Sequence, residues 1–261
     1  MKSITQFVVL LVVSAACAPV PASATPTLIE TPTPTSMAGM VHPTATPGEA
    51  IPATAIPAPM EPFGDGGQEL AVIQELYDHY WPDPLILILD LPTILYAVTD
   101  GREHINLITI GPFAEAPNMR PGQVFTIAFS PDEGGTFEIV NVGHRFSGKL
   151  LVAANCADAE QIRINQGGQA FAIIHSPVDG RLFPDTITVR VGLPVTLYNF
   201  SVGGEHLVSV ELLVPDPIIV RPNSITQMQF TPEQVGEYAI IHADDDLAGL
   251  LVVRESACPD V

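Results

Sequence analysis

Imidazoles and thiols are the side chains of this chain best suited to chemistry, and they are few. Its 261 residues hold seven histidines and three cysteines. Imidazole nitrogen suits copper and zinc, and a cysteine thiolate binds both. Glu103-His104 reappears as Glu205-His206, offset by 102, and Cys156 and Cys258 show the same spacing. Upstream, Met37, Met40, His42 and Met60 place thioethers near an imidazole. Such a set could meet Cu(I), although incidental placement in low-complexity sequence accounts for it as well. His79 and His175 stand alone and read as surface or strand residues. The chain holds no Gly-x-Ser-x-Gly, phosphate loop, Cys-x-x-Cys-His or His-Glu-x-x-His, so it reads as a non-enzyme.

The spacing of the histidine pair belongs to a longer pattern. Trp81-Pro82-Asp83 returns as Phe183-Pro184-Asp185, and Leu91-Pro92 as Leu193-Pro194, again offset by 102. Past one deleted residue the offset is 101, joining Arg120-Pro121 to Arg221-Pro222, Phe129 to Phe230, Gly148 to Gly249 and Val152 to Val253. Residues 81–153 and 183–254 are thus two copies of one module. Only two copies, each longer than a solenoid unit of ~20–50 residues, imply tandem domains. The expected organisation is a leader over 1–17, a linker over 18–62, a first domain over 63–155 and a second over 156–261.

Each module reads as strand upon strand. Thr186 to Val191 alternates cleanly, Leu85 to Leu89 is a short apolar run, and Gly, Pro, Asp and Asn separate the rest. Short strands at such intervals argue a small β-sandwich or barrel. Gln169 to Ile174 alternates too, and is either an added strand or the linker's own hairpin. Ahead of the first module, Leu70, Ile73, Leu76, Tyr77 and Tyr80 fall at helical spacing, which predicts a helix from Gln68 to about Tyr80.

Met1-Lys2, the apolar stretch Phe7 to Val13 and the small residues Ser14-Ala15-Ala16 before Cys17 make an export signal, too short to be a membrane span. Cys17 after Ala15-Ala16 looks like the lipobox of a bacterial lipoprotein, which implies lipidation of Cys17 and an anchored protein on the outer side of the cell membrane. Cleavage after Ala22-Ser23-Ala24, giving a free secreted protein, is the other reading. The linker is rich in Pro, Thr and Ala and has no apolar period, so it reads as a disordered, extended tether. Ten Lys and Arg against 29 Asp and Glu give a formal charge of −19. Such a surface repels phosphate backbones and excludes nucleic acid as a partner. In an oxidising compartment the plain reading of Cys156 and Cys258 is a disulfide tying the two domain ends together.

Phe183-Pro184-Asp185, Gly192-Leu193-Pro194-Val195-Thr196-Leu197 and Gly204-Glu205-His206 resemble the opening of a cupredoxin, the plastocyanin-like blue copper fold. Phe230-Thr231-Pro232, Gly236-Glu237-Tyr238 and Gly249 to Val253 resemble its last two strands, and the first module matches through Phe129-Ser130-Pro131 and Val142-Gly143-His144. The resemblance implies an all-β fold of two tandem Greek-key sandwiches and a copper site in each. A blue centre needs a cysteine thiolate. At the position the resemblance assigns to it stand Asn141 in the first module and His242 in the second. The second histidine is His144 in the first module and Asp245 in the second.

The implied ligands are therefore His104, Asn141 and His144 in the first domain, a thin set. In the second they are His206, His242 and Asp244 or Asp245, which suit Cu(II) or Zn(II) without a thiolate. Two functions remain open. One is an anchored, non-blue copper-binding protein outside the cytoplasm, with the copper ion as partner. The other is a metal-free scaffold that meets a protein partner at the cell surface.

Overall fold

The computed structural model describes residues 67–75, 79–100, 106–143, 146–244 and 247–258. The leader, Cys17 and the Pro/Thr-rich tether lie outside them. The first half of the described chain runs through β1 (Gln68–Glu75), β2 (His79–Trp81), β3 (Leu85–Ile88), β4 (Thr93–Thr99), β5 (Asn106–Ile110), β6 (Ala114–Met119), β7 (Phe125–Phe129), β8 (Gly135–Asn141) and β9 (Phe146–Ala153). After helix α1 (Cys156–Asn165) the second half follows with β10 (Gln169–Ser176), β11 (Arg181–Phe183), β12 (Thr186–Arg190), β13 (Val195–Ser201), β14 (His206–Val210), β15 (Val214–Val220), β16 (Ile225–Phe230), β17 (Gly236–His242) and β18 (Ala248–Arg254).

These strands form two β-sandwiches of one topology. The sheets of the first are β2-β1-β4-β7 and β3-β9-β8-β5-β6; those of the second are β11-β10-β13-β16 and β12-β18-β17-β14-β15. The orders correspond strand for strand, including the parallel pairs β1 with β4 and β10 with β13. The fold is all-β and cupredoxin-like, as the resemblance implied. Each sandwich closes over its own core, such as Phe171, Ile173, Leu197, Val208, Val210, Tyr238 and Ile240 in the second.

The predicted helix over Gln68 to Tyr80 is instead strands β1 and β2. Val72 points into the first sandwich's core, whereas Ala71 and Ile73 pack outward with Ala172 and Ile174 of β10. A strand buried on both faces shows no polar alternation, and its apolar run was read with the wrong period. The outward faces of β1, β4, β10 and β13 make this third, shared core. Tyr96 and Phe183 meet there with ring centroids 4.9 Å apart. Burial, followed by the neighbouring Glu69 carboxylate, pushes the Tyr96 phenol up to about 12.

Helix α1 was not foreseen. It buries only Ala159, so no apolar stripe marks it in the sequence. Asn155 caps it by accepting from the Asp158 amide at 2.9 Å. Its first residue, Cys156, is joined to Cys258.

The repeat extends further upstream than its Pro and Gly landmarks show, since β1 corresponds to β10. It also changes register where the sequence concealed it. Ile108 faces Asn141 as Val208 faces His242, and Gly111 N donates to Glu138 O as Glu211 N does to Ala239 O. The offset here is 100, so the counterpart of His206 is Asn106 and not His104. The loop before β5 is two residues longer than the one before β14.

Gly148 and Gly249 are equivalent positions at which a neighbouring side chain leaves no room for a Cβ. A Cβ on Gly148 would sit 2.7 Å from Tyr80 Cδ2 and 2.9 Å from Tyr80 Cβ. The Tyr80 Cβ is fixed to the backbone and cannot swing away. Gly148→Ala should therefore cost about 1–3 kcal/mol, as overpacking does. A denaturant melt showing no loss would contradict this packing.

Candidate metal centre

Four polar side chains interrupt the core of the second sandwich at one end. On β10, Phe171 and Ile173 face this core, and period 2 brings His175 to the same face. On β13, Val195 and Leu197 face it, and Asn199 follows. On the opposite sheet β14 contributes His206 ahead of Val208 and Val210, and β17 contributes His242 after Tyr238 and Ile240. Strand alternation alone thus aims four side chains from two sheets into one volume. His175 and Asn199 are 0% exposed, and His206 and His242 are 4% exposed.

The three imidazoles form a cluster. Ring centroids lie 4.8 Å apart for His175 and His242, 5.0 Å for His206 and His242, and 6.2 Å for His175 and His206. His175 Nδ1 is 2.8 Å from His242 Nε2, and His175 Nε2 is 3.0 Å from Asn199 Oδ1. At the mouth, Asp244 Oδ1 accepts from Leu207 N at 3.2 Å, and Ala243 N donates to Leu207 O. These bonds fasten the loop after β17 to the start of β14. One ligand atom each from His206, His242 and Asp244 lies within 4.8 Å of the others.

This donor set can be tested against a metal ion. Nitrogen and oxygen ligands at about 2.0–2.2 Å can stand at most ~4 Å apart across one ion. A spread of up to 4.8 Å closes with a shift below about 1 Å, so two imidazoles and a carboxylate fit Cu(II) or Zn(II). A blue centre does not fit. His242 occupies the place the resemblance gives to the thiolate, and both cysteines of the sandwich region are joined to each other.

The structure brings His206, His242 and Asp244 together; Asp245, His104 and His144 lie outside the described residues. Asn141 ends β8, is buried, and stands alone of its proposed set among the described residues. Its counterpart is His242, while Gln74, Ala97 and Asn106 stand at the counterparts of His175, Asn199 and His206. His79 is exposed and stacks on Trp81. His175 lies on strand β10, as a strand residue was expected to, but it does not stand alone, since its ring meets His242 and Asn199. Carrying the Gln169-to-Ile174 alternation one residue further would have set it on the core face, beside Phe171 and Ile173.

No family model matches the chain, and no curated protein matches its sequence. Solved structures similar to it include a copper nitrite reductase from Nitrosomonas europaea, at 9% identity and TM-score 0.31 over 74% of this chain and 96% of that one. A blue copper oxidase from the same organism is similar at 13% identity and TM-score 0.27, over 71% and 85%. A heme-copper terminal oxidase matches at 15% identity and TM-score 0.30, over 34% and 67%. At TM-scores this low the likeness assigns no activity to this chain. The reading of a non-enzyme is corrected, since it rested on missing linear motifs alone; that similar structures include copper enzymes does not make this chain one. Missing linear motifs do not exclude catalysis when a site joins side chains as far apart in sequence as His175 and His242.

Proposed function

We propose that this chain is a cupredoxin-like, non-blue copper-binding protein that captures Cu(II) outside the cytoplasm, with its metal centre in the second sandwich. The observation that carries this is the convergence of two buried imidazoles, His206 and His242, with the carboxylate of Asp244. His206 and His242 are the nitrogen ligands, and Asp244 or Asp245 supplies oxygen in place of a thiolate. Cu(II) held this way is a Lewis acid and redox-active ion. The protein's own part is to hold both imidazoles buried beside the exposed carboxylate of Asp244. The formal charge of −19 raises the local cation concentration at the surface.

The leader supports export, and the residues around Cys17 support a lipid anchor with the tether as spacer. Among the described residues no helix is long and apolar enough to cross a membrane.

Elemental analysis with a visible spectrum of the copper-loaded protein tests the reading. The expected result is one copper per chain in a nearly colourless solution, because no thiolate is present to give a sulfur-to-copper charge-transfer band. An intense blue absorption would overturn the ligand set. Absence of copper would leave the metal-free scaffold.

A further inference from the structure

The buried polar contacts behind the metal ligands carry a proton assignment. Asn199 Nδ2 lies 3.1 Å from Leu197 O and 3.4 Å from Thr226 O. Both are acceptors, so the amide nitrogen must face them, and turning the amide over would set oxygen against oxygen. Asn199 Oδ1 therefore faces His175, and it only accepts. His175 Nε2, 3.0 Å away, must carry the proton.

His175 is fully buried among two other imidazoles, where a cation would be desolvated, so the neutral ring is the form the site holds. A neutral imidazole has one N–H. With it on Nε2, His175 Nδ1 is an acceptor. The 2.8 Å contact to His242 is then a donation from His242 Nε2–H. His242 carries its lone pair on Nδ1.

From this we infer that Asn199 and His175 are positioning residues, forming a buried relay that locks His242 in its Nε2–H tautomer and presents Nδ1 as the metal-binding atom. The functional consequence rests on the copper reading above; the tautomer does not. The arrangement follows from how imidazole works as a ligand: the bond made by one ring nitrogen sets the state of the other. Here the second bond goes to another imidazole and then to an amide that two backbone carbonyls hold in place. The ligand is thus prepared before any metal arrives.

The first sandwich is an internal control. Its counterparts of Asn199, His175 and His242 are Ala97, Gln74 and Asn141. Every member of the relay is replaced together, on the same topology. Gln74 is buried, and its amide atoms have no hydrogen-bond partner among the described residues. The residue that replaces His175 thus makes no contact like the His175–Asn199 bond, which agrees with the three acting as a unit in the second sandwich.

Long-range proton–nitrogen NMR of the histidine rings in the metal-free, full-length protein tests the relay directly. His242 and His175 should both appear as Nε2–H tautomers, with a pyridine-type Nδ1 on His242. A His242 ring protonated on Nδ1, or averaged between tautomers, would overturn the inference. Asn199→Leu, which removes the acceptor at the far end, should release both rings from the Nε2–H form. It should also weaken Cu(II) binding by about tenfold, the low end of the cost of losing an outer partner of a ligand histidine, because Asn199 acts through His175. If Asn199→Leu stays folded by circular dichroism and binds Cu(II) within about twofold of wild type, the positioning role is lost. If the wild type binds no Cu(II), the copper reading fails while the wild-type tautomer measurement still decides the relay. That measurement also stands if Asn199→Leu does not fold.

Discussion

Replacing His206 and His242 together by alanine should abolish stoichiometric Cu(II) uptake by the full chain in titration calorimetry. The two imidazoles are the only nitrogen ligands in the set, and Asp244 alone is an exposed carboxylate. What remains is diffuse attraction to a negative surface, which salt screens. Since an outer partner of a metal ligand already contributes 10–100-fold, loss of both inner ligands should exceed about 100-fold. Both side chains are buried, so the alanines also open space at the end of the core. His206→Gln with His242→Gln keeps volume there and should lose copper equally. His104→Ala should leave uptake unchanged, because strand register places Asn106 and not His104 at the counterpart of His206. Retained uptake in a folded double variant would sink the proposed site.

Reducing the Cys156–Cys258 bond should destabilise the protein strongly. The two residues are 102 apart in sequence, and the closed loop contains the whole second sandwich. In the chain-entropy account, cross-linking a loop of about 100 residues removes ~4.7 kcal/mol of denatured-state freedom. For a protein of this size, each kcal/mol corresponds to roughly 2–4 °C in Tm. Reductant should thus lower Tm by roughly 10–20 °C. The Cys156→Ser, Cys258→Ser variant should start at the lower Tm and not respond to reductant. A wild-type Tm indifferent to full reduction would show that the bond constrains nothing the fold does not already hold.

The repeat and the fold class were legible because their signals are local. Pro, Gly and Asp at strand ends have conformational duties, and they recur between the copies at offsets of 102 and then 101, from Trp81-Pro82 with Phe183-Pro184 to Gly148 with Gly249. Alternation marked strands such as Thr186–Arg190, which have one wet face. The same reasoning failed on β1, where both faces are buried against two different cores. It also failed at α1, a helix that buries almost nothing. The pair Glu103-His104 and Glu205-His206 misled it, because the loop before β5 is two residues longer and a matching dipeptide concealed the slip.

By itself the sequence determined that this protein consists of two copies of one sandwich, strongly acidic, with Asn141 and His242 where the resemblance places the cysteine of a blue copper site. It also brought His206, His242 and Asp244 into view as candidate ligands. Only the tertiary structure decided that His175 and Asn199 stand behind His242, and that the first sandwich holds Gln74 and Ala97 at the equivalent positions. The physical reason is that these residues meet across two sheets through hydrogen bonds between strands. Such contacts depend on pairing register and on which face each strand turns inward. A one-residue slip in any of the four strands would turn its side chain away from the cluster. Register is set by the packing of the whole sandwich, and no stretch of sequence short enough to read as a motif contains it.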